Sequence, residues 1–351
     1  MELKLGILGY GGMGNWHANN APLIDGVSVV AVHDIDQSRL DEAKSKGFRA
    51  YESRADFLAD EDINFVLIAT PNNVHKDYSI EALRAGKHVM CEKPVTLEVS
   101  QLDEIIEVAK ETGNIFTVHQ NRRWDTDYRV LREAIERRMI GEVYTIESHV
   151  FGNNGQIYGW RTKPEFGGGM VLDWGVHLLD HFTFMYPHKK IESVYAQLFS
   201  VINSDVEDLV KVDMRFEGGP AVHVEIGTFG LVKRPRFMAY GDLGTMKIDD
   251  FSGETGLIKV LCHRIDDMGR VIIDTPAGPT RTMAPQPEEC FTSQDLPVIK
   301  KPWPNLYGNL INVLNGKEPL YVTPESVRRT MLLIEAVFES ARLNETIKLD
   351  L

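Results

Sequence analysis

The sequence predicts an α/β protein: a doubly wound parallel sheet at the N-terminus, followed by an α+β domain with a mostly antiparallel, open sheet. Three observations predict it. Short, nearly continuous apolar runs alternate with helical stretches over the first third of the chain. A glycine-rich turn stands at the first junction between run and helix. Beyond about residue 121 the continuous runs give way to period-two alternation.

The elements follow in order. Leu3–Leu8 is a run of strand length, and a helix opens from about Met13 and closes at Pro22. Val27–Val32 is β-branched and nearly continuous, as a strand covered on both faces should be. Phe65–Thr70, Val89–Cys91 and Ile115–Val118 are runs of the same kind. Between the last two lies a helix that Thr96 can cap and Gly113 can end. Its apolar stripe is Val99, Leu102, Ile106 and Ala109. Asp125–Arg138 reads as a helix with Gly141 just beyond it. Residues 207–216 place Val210, Val212, Met214 and Phe216 on one face, and residues 221–229 do so with Val222, Val224 and Ile226. Residues 275–305, rich in Pro and polar groups, read as a long surface excursion. Thr323-Pro324 opens a last helix with the stripe Val327, Met331, Ile334, Phe338 and Ala341. The predicted division is 1–121 for a nucleotide-binding domain and 122–351 for the second domain, with helix 324–343 able to pack back on the first.

Composition excludes several functions. The formal charge is −13, from 38 basic and 51 acidic residues, and both residues 1–121 (11 against 19) and the remainder (27 against 32) are acidic. A nucleic-acid partner is therefore not expected. The longest apolar runs are far too short to span a bilayer, so no membrane association is expected. No signal-peptide pattern precedes the first apolar run, which begins almost at Met1. Cys91, Cys262 and Cys290 are too few and scattered for a disulfide framework or a zinc site, and no metal is expected. The expected setting is cytoplasmic.

Gly9-Tyr10-Gly11-Gly12-Met13-Gly14 is G-x-G-x-x-G, with a strand leading in and a helix leading out. In that context the glycines allow a tight turn, close backbone approach to a pyrophosphate, and helix–strand packing, as in a Rossmann-type dinucleotide fold. Asp34 ends the second strand twenty residues after Gly14. An acid there accepts the ribose hydroxyls of NAD and repels the 2′-phosphate of NADP, so NAD is the expected cofactor. Arg39 either holds a 2′-phosphate or stacks on adenine.

Two clusters carry chemistry. Thr70-Pro71-Asn72 with His75, and Glu92-Lys93-Pro94, lie at the carboxyl ends of predicted parallel strands, where open α/β sheets bind ligands. Three glycines, 167–169, then lead into Asp173, His177, Asp180 and His181, and leave room for close approach of a ligand. Read as a helix, Asp173 and His177 share a face at i and i+4, with Asp180 three further along. That arrangement is an oriented general base. A metal site made by Asp173, His177, Asp180 and His181 is the rival reading, disfavoured because no further ligand completes it.

GILGYGGMGNWHA, ATPNNVH, AGKHVMCEKPVT, QNRRWD, GGGMVLDWGVHLLD and GDLGTMKI together resemble the glucose–fructose oxidoreductase, inositol dehydrogenase and MocA (Gfo/Idh/MocA) family. The likeness covers most of the chain and is weakest at 250–305. It implies a nicotinamide cofactor and a sugar, polyol or glycoside substrate. It also implies that Lys93 meets the reacting hydroxyl, that His177 acts as acid or base, and that Asp173 supports it. Asn121, Arg122, Trp160 and Arg161 match positions that line the nicotinamide and substrate. The open face of the second sheet is implied to build a homodimer or homotetramer. The first reading of function is thus an NAD-dependent dehydrogenase or reductase acting on a hydroxyl-bearing carbon. A lyase or glycosidase with tightly bound NAD is the alternative, and a non-catalytic nucleotide sensor ranks last.

Overall fold

A computed structural model describes residues 2–280, 283–299 and 306–351. The first sheet is built from β1 (Leu3–Leu8), β2 (Val27–His33), β3 (Arg49–Tyr51), β4 (Phe65–Ile68), β5 (His88–Cys91) and β6 (Phe116–Val118). Between them run α1 (Gly12–Asn20), α2 (Gln37–Ser45), α3 (Arg54–Ala59), α4 (His75–Arg84) and α5 (Val99–Thr112). All pairings are parallel, in the order β3-β2-β1-β4-β5-β6. This is the doubly wound Rossmann order, whose direction reverses between β1 and β4 and opens a crevice at their carboxyl ends. Every residue of β4 is buried, which explains why its sequence runs continuously apolar rather than alternating. Burying each such side chain contributes about 1.5 to 3 kcal/mol. Gly113 ends α5 in the left-handed conformation as expected. The N-cap position of α5, however, is Glu98 rather than Thr96, whose hydroxyl donates to the Glu98 carbonyl at 2.8 Å and so stands outside the helix.

The second sheet starts after α6 (Thr126–Glu136). Its strands are β7 (Val143–Phe151), β8 (Ile191–Phe199), β9 (Leu209–Phe216), β10 (Ala221–Gly227), β11 (Phe237–Gly241), β12 (Gly244–Ile248) and β13 (Gly256–Leu261). A small hairpin, β14 (Ile273–Thr275) with β15 (Gly278–Thr280), precedes the edge strand β16 (Phe291–Gln294). The stretch read as a surface excursion therefore contributes a strand, while residues 281, 282 and 300–305 lie outside the described residues. Among the described residues the order is β16-β13-β12-β11-β7-β10-β9-β8-β17, where β17 is Ile347–Lys348. One pairing, β7 with β10, is parallel and the rest are antiparallel. Val210, Val212, Met214, Val222, Val224 and Ile226 are buried on one face, as their alternation predicts.

The helix α7 (Val176–Met185) packs against α9 (Pro324–Leu343), which also meets β8; α8 is Leu306–Leu314. Thr323 caps α9 by accepting from Ser326 N. The same helix reaches α5 of the first domain: Glu335 accepts from Val99 N at 2.7 Å, and Arg328 pairs with Asp103. Thr117 of β6 donates to the Val322 carbonyl just ahead of α9 at 2.8 Å. These ties fix the two sheets relative to one another, with the β1/β4 crevice facing the segment 160–177.

Candidate active site

The glycine turn is shaped for close approach. Gly9 has φ +96°, and a Cβ there would lie 2.6 Å from the Ala69 carbonyl oxygen. A Cβ on Gly14 would lie 1.9 Å from the Gly9 carbonyl, so only glycine lets α1 pack on β1. A Cβ on Gly12 would meet nothing within 4 Å, and no side chain caps α1. The first-turn N–H groups are therefore open to the cleft, the arrangement that suits a phosphate. Gly11, Gly12 and Met13 line this cleft. Tyr10 is buried with its ring beside Phe48, and its main-chain N–H donates to Asp34 Oδ2 at 2.6 Å, so its part in the turn is to position Asp34.

Asp34 lines an adjoining cavity of about 280 Å³ with Gly9, Arg39, Thr70 and Pro71. Its oxygens accept from Tyr10 N, from Asp36 N at 2.9 Å and from Arg39 Nη1 at 3.3 Å. A carboxylate has about four lone-pair sites, so a place remains for a ribose hydroxyl. Thr70 Oγ1 is buried with no hydrogen-bond partner while its residue lines both cavities. An orphaned hydroxyl beside an uncapped helix start fits a dinucleotide.

The strand-end residues divide in role. Asn72 lines the cleft, but its amide donates to the Phe166 carbonyl at 2.9 Å and so joins the two domains. His75 is wholly buried, with ring nitrogens 2.9 Å from the carbonyls of Pro94 and Thr70. It braces two strand ends and has no face to offer a cofactor. Glu92 Oε1 lies 2.8 Å from His17 Nε2 and 2.9 Å from His119 Nδ1. Burial pushes the Glu92 carboxyl up, but the two imidazoles outweigh it and hold the group well below the usual range. Glu92 thus positions His119, which lines the cleft.

The largest correction concerns Asp173. Val171–Gly175 is a π-helical turn that precedes α7, and His177 Nδ1 has no hydrogen-bond partner, so Asp173 does not orient the imidazole through that atom. Asp173 instead accepts from Lys93 Nζ at 2.9 Å and Arg161 Nε at 3.3 Å, and its carbonyl accepts from Lys93 Nζ at 2.8 Å. Burial pushes its carboxyl up, yet the two cations more than offset this and hold it below its ordinary value. Asp180 is not at the site. It forms a buried bidentate pair with Arg123, both contacts 2.7 Å, and accepts from Thr330. His181 Nε2 faces the Arg122 carbonyl at 2.9 Å. The four residues of the rival metal reading therefore do not converge. The glycines 168 and 169 also differ from expectation: a Cβ there would strike the Arg161 carbonyl or the Glu207 carboxylate at 2.3 Å, so they serve packing rather than ligand approach.

His177 lines the cleft with Lys93, and its Nδ1 has no hydrogen-bond partner. Burial, then Lys93 and Arg122, push the imidazole well below its ordinary value, so the ring is neutral near pH 7. Asn121, Arg122, Trp160 and Arg161 line the same cleft of about 560 Å³. Arg122 lies over the Trp174 ring at 4.2 Å, and Arg161 over Trp160 at 4.5 Å. A second cavity of about 480 Å³ shares Arg161, Asp173 and Trp174 and adds Asn153, Gln156, Tyr158 and Thr228. The sequence singled out none of Asn153, Gln156, Tyr158, Trp174 and Thr228 as a site residue.

Comparison with known proteins agrees with the two-sheet fold. Residues 3–120 match the family described as "Oxidoreductase family, NAD-binding Rossmann fold", and residues 128–247 match the "GFO/IDH/MocA C-terminal domain". The chain is 27% identical to the myo-inositol 2-dehydrogenase of Thermotoga maritima, over 68% of this chain and 70% of that protein. It is 36% identical to an uncharacterised oxidoreductase of Schizosaccharomyces pombe over 48% of this chain, a match that spans only 46% of that protein. The crystal structure of an NAD-binding protein from Listeria innocua superposes with a TM-score of 0.89, at 40% identity and coverage of 99% and 97% of the two chains. No helix among the described residues is long and apolar enough to cross a membrane. The two family matches, which together span both sheets, make this chain a member of the Gfo/Idh/MocA oxidoreductase family.

Proposed function

We propose that the chain is an NAD-dependent dehydrogenase or reductase acting on a hydroxyl-bearing carbon of a sugar, polyol or glycoside. The observation that carries this reading is the meeting of Lys93 and His177 in the cleft that the glycine turn opens. A bound nicotinamide supplies the hydride acceptor or donor. The chain does the rest. Lys93 donates to the reacting oxygen and stabilises the charge that develops on it. Asp173 holds the ammonium in place from the opposite side. His177, neutral and lining the cleft, takes the hydroxyl proton as general base. Asn121, Arg122, Trp160 and Arg161 flank the reacting carbon, and the polar groups of the 480 Å³ cavity hold the remaining hydroxyls.

NAD is proposed over NADP because the Asp34 carboxylate lines the ribose end of the crevice. The open face of the second sheet, with Lys211, Asp213, Arg215, His223 and Glu225, is proposed to form a homo-oligomer contact. Light scattering that reads a 39.6 kDa monomer would exclude that contact.

The test is a panel of sugars, polyols and glycosides followed through the nicotinamide absorbance, with Lys93→Ala and His177→Ala beside the wild type. Each substitution should cut turnover roughly 100- to 10,000-fold while nucleotide binding stays near normal. Release of a cleaved product without reduced cofactor would favour the lyase or glycosidase cycle. Near-wild-type rates in both variants would refute the assignment.

A further inference from the structure

The open face of the second sheet holds a cluster that hydride transfer does not use, and strand pairing assembles it. β7 and β10 run parallel with His149 beside Glu225 and Glu147 beside His223. β9 pairs antiparallel on the other side of β10, placing Asp213 beside His223 and Lys211 beside Glu225. Residues two apart on a strand share a face, so His223 and Glu225 project together. One donor atom each from His149, His223 and Glu225 lie within 4.8 Å of one another. His223 Nε2 and Glu225 Oε2 are 3.6 Å apart, close to the edge of about 3.3 Å of a tetrahedron with 2.0–2.1 Å metal–ligand bonds.

Both imidazoles are arranged as metal ligands are. His149 Nδ1 lies 3.0 Å from the Pro235 carbonyl, which can only accept, so Nδ1 carries the proton and Nε2 is a bare lone pair. That Nε2 is buried with no hydrogen-bond partner. Its side chain is 2% exposed, and Nε2 stands 3.6 Å from Glu147. His223 Nδ1 lies 2.9 Å from Asp213 Oδ1, a carboxylate behind an imidazole, which fixes the ring and raises the basicity of Nε2. Lys211 and Arg234 now neutralise Glu225. Both would have to release Glu225 for a divalent ion to take the carboxylate.

We propose that His149, His223 and Glu225 bind one divalent first-row metal ion of the zinc class, with Glu147 within reach as a further carboxylate. Two imidazoles with one carboxylate select such ions over magnesium or calcium, which prefer all-oxygen sites. The ion would clamp β7 to β10 just ahead of Phe151 and Gly227, which line the 480 Å³ cavity.

The test uses the full chain stripped by a chelator and titrated calorimetrically with zinc, with magnesium as control. Cobalt(II) gives an optical reading of coordination. One zinc per chain is expected, with no heat from magnesium and with zinc-induced shifts in the side-chain ¹⁵N resonances of His149 and His223. His223→Gln and Glu225→Gln should each weaken zinc at least tenfold. His119→Gln, in the separate cluster His17–Glu92–His119, should leave zinc affinity unchanged. Should the sheet variants fold poorly, the wild-type cobalt spectrum and histidine shifts still decide. Absence of stoichiometric binding at about 100 μM zinc, affinity unchanged in both sheet variants, or loss in His119→Gln would overturn the site.

Discussion

Replacing Asp173 by Asn separates two roles for this carboxylate: orienting His177 or anchoring Lys93. The structure supports the second. Lys93 Nζ sits 2.9 Å from Asp173 Oδ1, while His177 Nδ1 has no hydrogen-bond partner. Unit charges at 2.9 Å attract by about 6 kcal/mol at an effective dielectric of 20. The side chains of Lys93 and Asp173 are 17% and 21% exposed, and hydration with screening reduces the net coupling to roughly 1 to 3 kcal/mol. Asn keeps an acceptor for Lys93 but loses the charge, so hydride transfer should slow roughly 5- to 150-fold. The assay is single-turnover hydride transfer in two double-mutant cycles, Asp173→Asn with Lys93→Met and Asp173→Asn with His177→Asn. Once Lys93 is gone, Asp173→Asn should cost almost nothing further, whereas in the His177→Asn background it should cost nearly its full amount. The opposite pattern would refute the anchoring argument and restore the carboxylate to the imidazole.

Three further predictions follow from the same geometry. Because burial, Lys93 and Arg122 hold His177 well below its ordinary value, the ring stays neutral as pH falls through 6.5, and kcat/KM should fall only at lower pH; an acidic limb at or above 6.5 would contradict this. Asp180→Asn breaks the buried pair with Arg123 and should destabilise the fold by about 3 to 5 kcal/mol, read by urea unfolding; a loss below 1 kcal/mol would show that the pair is dispensable. Asp34→Ser should narrow the preference for NAD over NADP in a nucleotide-binding titration. Tighter binding of NADP than NAD by the unsubstituted chain would mean that Arg39 governs the ribose end.

Much of this protein was legible in its sequence because the relevant physics is local. A glycine turn between a buried strand and a helix, an acid at the next strand end, and a Glu-Lys-Pro at a later one each depend on a few neighbouring residues. The alternating runs at 207–216 and 221–229 declared a sheet with one buried face. Strands such as Val143–Phe151, which mix charged and apolar residues less regularly, escaped notice because their burial does not alternate: Tyr144 is the one exposed residue of Val143–Phe151.

Tertiary structure alone decided the partners. Lys93 and Asp173 are 80 residues apart, and Glu92 and His17 are 75 apart; no spacing rule connects such pairs. The i and i+4 reading of Asp173 and His177 missed the actual pairing because two cations outside that helix, Lys93 and Arg161, take the carboxylate. His75, chemically able to serve a cofactor, became a brace once both its nitrogens met carbonyls. His149 came to stand beside Glu225 through a parallel register between strands 76 residues apart in the chain. The sequence determined which groups were available and what each could do. The fold determined which charges meet, because electrostatics and hydrogen bonding act over a few ångströms of space, whatever the separation along the chain.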